Sequence, residues 1–119
     1  MYTLYGIPNC DTVKKTRTWL DSHRIPYEFH DYKKEGISKA KLQSWLKQKD
    51  WTVLVNTKST TWRELDEKQR SAVTGASTAI PLMESQTSVI KRPIIEKDGR
   101  IIAVGFNEAE YLKLFKVKS

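Results

Sequence analysis

The sequence predicts an α/β fold: one four-stranded mixed sheet with helices on it and an inserted helical subdomain. Three observations predict it. Residues 2–32 pass from a strand pattern to a helix pattern and back, which is a right-handed parallel βαβ unit. Residues 33–89 carry mainly helical periods. From Pro93 to Val104 two strand-like runs flank Asp98-Gly99, the strongest short hairpin signal.

The first strand is Tyr2 to Tyr5, β-branched and aromatic, ended by Gly6 to Pro8. From Asp11 to His23 the period is helical. Val13, Thr16 and Leu20 share a face with Trp19 beside them, and Lys14, Lys15, Thr18, Asp21 and Ser22 lie mostly outside it. Ile25-Pro26 ends the helix, because a residue before proline resists the α region. Tyr27 to Tyr32 alternates aromatic and polar residues as a second strand.

Beyond it Lys33 to Gly36 is a polar turn, Ser38 an N-cap, and Leu42, Trp45 and Leu46 a helical stripe. Trp51 to Val55 is a strand by propensity and a short helical turn by position. Trp62 to Val73 reads as one helix closed by Thr74-Gly75. Another starts near Ser77 or Thr78, which puts Pro81 in a first turn whose N–H groups have no partners. After the hairpin, Asn107 and Glu110 form an N-cap and a capping-box-like pair. Tyr111, Leu112, Leu114 and Phe115 then supply an apolar face. The chain is thus expected to be one domain, 1–119, with a sheet core from 1–32 and 90–119 and a helical insert at 33–89.

Composition narrows the function. The 119 residues hold four Trp, five Tyr and three Phe, enough apolar bulk for one core, yet 29% are charged and mean hydropathy is −0.58. No apolar run approaches the ~18 residues of a membrane span. The N-terminus enters a strand directly instead of a basic-then-apolar leader, and one cysteine cannot form an internal disulfide; a reducing, cytoplasmic setting is expected. Lys and Arg outnumber Asp and Glu by 21 to 14, but the basic residues are scattered and lack a nucleic-acid motif. A positive surface that attracts small anions explains the balance as well. His23 and His30 sit on different elements with no second cysteine, so no metal site is expected. The Trp residues at 19, 45, 51 and 62 are assigned to packing.

The one thiol, Cys10, lies where the first strand hands over to a helix N-terminus. Free backbone N–H groups and the positive end of the helix dipole favour a thiolate there. Each pKa unit of acidification takes about 1.36 kcal/mol, and an exposed dipole supplies only about 0.3–1 kcal/mol. Direct N–H bonds or a cation from elsewhere in the chain must add the rest. The competing reading is a small buried hydrophobe.

Three ordered blocks carry a resemblance: Tyr5-Gly-Ile-Pro-Asn-Cys10-Asp-Thr-Val-Lys-Lys, Leu54-Val-Asn-Thr-Lys-Ser-Thr-Thr-Trp-Arg63-Glu-Leu and Ile90-Lys-Arg92-Pro93-Ile-Ile. Over nearly its whole length the chain resembles the arsenate reductase (ArsC)/Spx family, within it the YffB-like branch, and so a thioredoxin-like fold. The resemblance implies that Cys10 is the nucleophile and that the bond before Pro93 is cis and faces it. It makes Arg92, otherwise a surface arginine at a strand start, the required cation. Where arsenate reductases carry a histidine, this chain has Gly6. Of their three oxyanion arginines only Arg92 is kept, the others aligning with Asn56 and Gly105. Arg63 is either a substitute or a solvated helix residue. Cys10-Asp-Thr-Val13 replaces the Cys-x-x-Cys common in Spx-like members.

These points imply a thiol–disulfide oxidoreductase with glutathione as co-substrate and no tightly bound cofactor. Asn9, Asp11, Thr12, Asn56, Arg63, Arg92 and Pro93 are the binding candidates, and a monomer that binds neither nucleic acid nor membrane is expected. The alternatives are a non-catalytic adaptor for a protein such as RNA polymerase, and a weak arsenate reductase.

Overall fold

Leu4 explains the sheet. Alternation along β1 (Tyr2–Gly6) turns it to one face, where it lies opposite Phe29 of the parallel strand β2 (Tyr27–Asp31) and Ile95 of the antiparallel strand β3 (Ile94–Lys97). β3 pairs in turn with β4 (Arg100–Val104) through Asp98-Gly99, with a register shift between Ile95 and Glu96. Both turn residues have positive φ, 51° and 82°, as a tight hairpin requires. The four strands run in the order β2-β1-β3-β4.

The computed structural model describes residues 1–116. It forms two compact units, Met1–Tyr32 with the chain from Arg92 onward, and Lys33–Lys91. In the first unit, α1 (Asp11–Ser22) contributes Val13, Trp19 and Leu20 to a core with Leu4, Ile95 and Ala103 of the sheet. Each large side chain buried there contributes about 1.5–3 kcal/mol. The last helix of this unit, Glu108–Leu114, adds Tyr111 and is capped by Asn107, whose side chain accepts the Glu110 N–H at 3.0 Å. The next β1 residue, Tyr5, is also buried, and its hydroxyl donates to the buried Glu96 carboxylate at 3.0 Å.

The chain between the strands is helical. It runs through α2 (Tyr32–Glu35), α3 (Lys39–Gln48), α4 (Trp51–Leu54), α5 (Thr60–Glu64), α6 (Glu67–Ser71) and α7 (Ala76–Ser85), and the C-terminal helix is α8. Ser38 caps α3 as expected, accepting the Lys41 N–H at 3.1 Å, and buries Leu42 and Trp45. Trp51 to Val55 resolves as a helical turn, with Val55 bridged to Ile90.

Several expectations change. Trp62 to Val73 is two helices, because Leu65 turns extended and Asp66 opens a capping box with Gln69. Pro81 is the sixth residue of α7, past the first turn, so the Ser77 carbonyl four residues back receives no N–H from it. Tyr32 begins α2 and does not end β2, and Leu114 is 37% exposed, outside the apolar face. Trp19 and Trp45 are buried, whereas Trp51 and Trp62 are half-buried and lie 6.5 Å apart at their ring centres. No helix is long and apolar enough to cross a membrane, and no group of three or more potential metal ligands occurs among the described residues.

Candidate active site

Cys10 is the N-cap of α1, with extended dihedrals of −90° and 125°. Its N–H donates to the Ile7 carbonyl at 3.2 Å and its carbonyl accepts from Lys14 N–H at 2.9 Å, which fixes the side chain at the helix mouth. No conventional side-chain cap bond closes this end. The Val13 and Thr12 amides, at the two positions an N-cap normally satisfies, favour the ionised form of the sulfur. The side chain is only partly buried.

Opposing forces set the acidity of this thiol. Burial, the largest single influence, pushes it up. The Val13 N–H, the Arg92 side-chain hydrogen bond, the Thr12 N–H and the Arg92 charge together outweigh it, so the thiol is held below its ordinary range. Arg92 is half-buried and precedes the cis Arg92-Pro93 bond, which leads directly into β3. β1 and β3 are hydrogen-bonded neighbours. A cysteine just past one end of β1 and an arginine just before β3 therefore meet, although 81 intervening residues separate them in sequence. Pro93 is buried and its carbonyl accepts the Gly105 N–H at 2.8 Å.

The other candidates fall into two groups. Asn9 and Asp11 flank Cys10 and are exposed, with Asp11 in the first turn where the helix dipole favours an acid. Thr12 is half-buried and its carbonyl accepts from the Thr16 hydroxyl at 2.8 Å. Asn56 and Arg63 belong to the helical unit. Asn56 donates its N–H to the Val89 carbonyl at 2.6 Å and accepts the Lys58 N–H on Oδ1 at 3.0 Å, while Arg63 is exposed on the last turn of α5.

Sequence reasoning missed two neighbours of this chemistry. Gly6 is required by close approach: a Cβ there would lie 2.8 Å from Val13 Cγ2, and Val13 supplies the amide that matters most to the sulfur. Tyr32 is buried, stacks on Tyr5 at 6.2 Å, and has a hydroxyl with no hydrogen-bond partner among the described residues. Burial drives its acidity far below that of an ordinary phenol, with Tyr5 pushing the same way, Arg92 opposing and Glu96 reinforcing. Gly105 has φ of 82°, a conformation an arginine adopts only at a cost.

A mixed sheet of this order, with a cysteine at the mouth of the first helix and a cis-proline opening the third strand, defines a thioredoxin-like domain. The ArsC family model matches residues 5–114, and the chain belongs to that family. The solved structure of a protein called YFFB superimposes with a TM-score of 0.89 at 46% identity, covering 96% of this chain and 98% of the other. A protein of Haemophilus influenzae without assigned function is 45% identical over 97% of this chain and 99% of its own length. The global transcriptional regulator Spx of Streptococcus pneumoniae is 29% identical over 92% of this chain and 82% of its own. At the level of the family, this arsenate reductase-like fold supports thiol-dependent reduction.

Proposed function

We propose that the protein is a cytoplasmic, glutathione-dependent thiol–disulfide oxidoreductase with Cys10 as its single nucleophile. The observation that carries this reading is the convergence of the Val13 and Thr12 amides and the Arg92 guanidinium on one partly exposed sulfur. The Cys10 thiolate attacks the glutathione sulfur of a mixed disulfide. The old S–S bond breaks, a Cys10–glutathione disulfide forms, and the substrate leaves as a thiolate that takes a proton from water. A second glutathione thiolate then attacks the glutathione sulfur of that disulfide, releasing oxidised glutathione and the Cys10 thiolate.

Arg92 holds a glutathione carboxylate as well as the sulfur. Pro93, Asn9, Asp11 and Thr12 line the approach. Gly6, Asn56 and Gly105 stand where the resemblance places a histidine and two arginines of the arsenate reductases, which favours a thiol substrate over arsenate. The test is glutathione-driven reduction of a small disulfide together with intact-mass analysis. A glutathione adduct on the wild type, absent from Cys10→Ser, is expected; turnover that survives in Cys10→Ser overturns the reading.

The similarity to Spx favours a second reading, a non-catalytic adaptor for a protein partner. It predicts that Cys10→Ser co-purifies with the same partners as the wild type, whereas the oxidoreductase predicts loss of disulfide-trapped partners.

A further inference from the structure

Within the helical unit, α3 and α7 enclose a groove of about 560 Å³. Its apolar lining is Leu46, Ile80 and Pro81, and Lys39 and Lys47, both exposed, stand on the α3 wall. The α3 sequence itself holds no Asp or Glu beside Lys39 and Lys47. Lys39 stands in the first turn of the helix, where the dipole disfavours a cation, so its position does not serve the helix. The opposite wall begins at Ala76 and Ser77, behind Gly75, a cap that offers no side-chain acceptor to the first-turn amides. Pro81 also lacks the N–H that would reach the Ser77 carbonyl. A second groove, of about 410 Å³, shares Ser77 and Pro81 and continues the apolar surface along Leu65, Val73 and Leu82.

We infer that this surface docks an acidic, amphipathic segment of a partner protein, whose carboxylates meet Lys39 and Lys47 while its aliphatic side chains fill the groove between α3 and α7. Charge complementarity selects the acid. The continuation across α7 suits a length of chain better than a small anion, and an extended apolar floor is of no use to a nucleic acid backbone. The inference is independent of Cys10 chemistry.

The experiment is an amide-shift titration of the full chain with a short synthetic peptide of Glu and Leu at helical spacing. Shifts centred on Lys39, Leu46, Lys47, Ser77 and Ile80 are expected, with affinity weakened by salt. Lys39→Glu combined with Lys47→Glu is expected to weaken binding by about tenfold or more, with Lys39→Gln and Lys47→Gln intermediate. Cys10 alkylation is expected to keep its wild-type rate in each. A peptide of Glu alone, matched in charge, is expected to bind more weakly. Shifts spread over the scattered lysines, unchanged affinity in the charge-reversed variant, or equal binding of the all-Glu peptide would each overturn the inference.

Discussion

Replacing Arg92 with alanine tests the electrostatic core of the site. The substitution removes one side-chain hydrogen bond to the Cys10 sulfur and one positive charge, and leaves the Val13 and Thr12 amides in place. A hydrogen bond to a charged group contributes about 1.5–3 kcal/mol when well shielded. Cys10 and Arg92 are both partly exposed, and solvent screening brings the figure down to about 1 kcal/mol. At 1.36 kcal/mol per decade, the thiolate-to-thiol ratio should fall about fivefold, and the neutral-pH alkylation rate by iodoacetamide should fall by up to that factor. The pH profile should move toward that of an ordinary thiol. Arg92→Lys keeps the charge without the planar fork and should fall between the two. Far-UV circular dichroism checks that the fold survives. An alanine variant with the wild-type inflection would refute the reasoning, because the backbone amides alone would then set the acidity.

The remaining predictions concern the surroundings of that sulfur. Gly6→Ala drives a methyl into Val13, which is buried and stiff at χ1, and should cost about 1–3 kcal/mol in chemical denaturation while slowing Cys10 alkylation as the amide is displaced. Tyr32→Phe deletes a buried, unpartnered hydroxyl and should leave thermal stability unchanged or raise it. Tyr5→Phe takes a donor from the buried Glu96 and should lower stability by about 1–3 kcal/mol. Because the Cys10 thiol is more acidic folded than unfolded, its contribution to stability is complete above the unfolded value of about 8.5 and is lost as pH falls through the lower folded value. Denaturation of wild type and Cys10→Ser should therefore diverge in favour of the wild type as pH rises toward the unfolded value of about 8.5, and parallel curves would contradict the assignment.

The elements that local chemistry specifies were legible in the chain. The first strand from Tyr2, Asp98-Gly99 in a hairpin, Ser38 and Asn107 as caps, and Cys10 at a helix mouth all follow from composition and from residues whose preferences act within a few positions. Sequence reasoning failed where a boundary fell inside a segment of uniform helical composition. The Trp62–Val73 segment has a helical composition, yet Asp66 and Gln69 cap each other and start a new helix, and Pro81 lies deeper in α7 than its assigned start allowed.

By itself, the sequence determined an α/β chain with one thiol in the place where a helix favours an anion. It also showed that the dipole was too weak to ionise that thiol unaided. The family resemblance pointed to Arg92, but only the tertiary structure gave the means: strand pairing brings Arg92 across from a distant part of the chain, and the absence of a side chain at Gly6 leaves room for Val13, whose amide favours the ionised sulfur. The physical reason is range. Capping and periodicity act over a turn or two, whereas the energy of a charge pair and the cost of a close contact depend on distances that exist only once the sheet has formed.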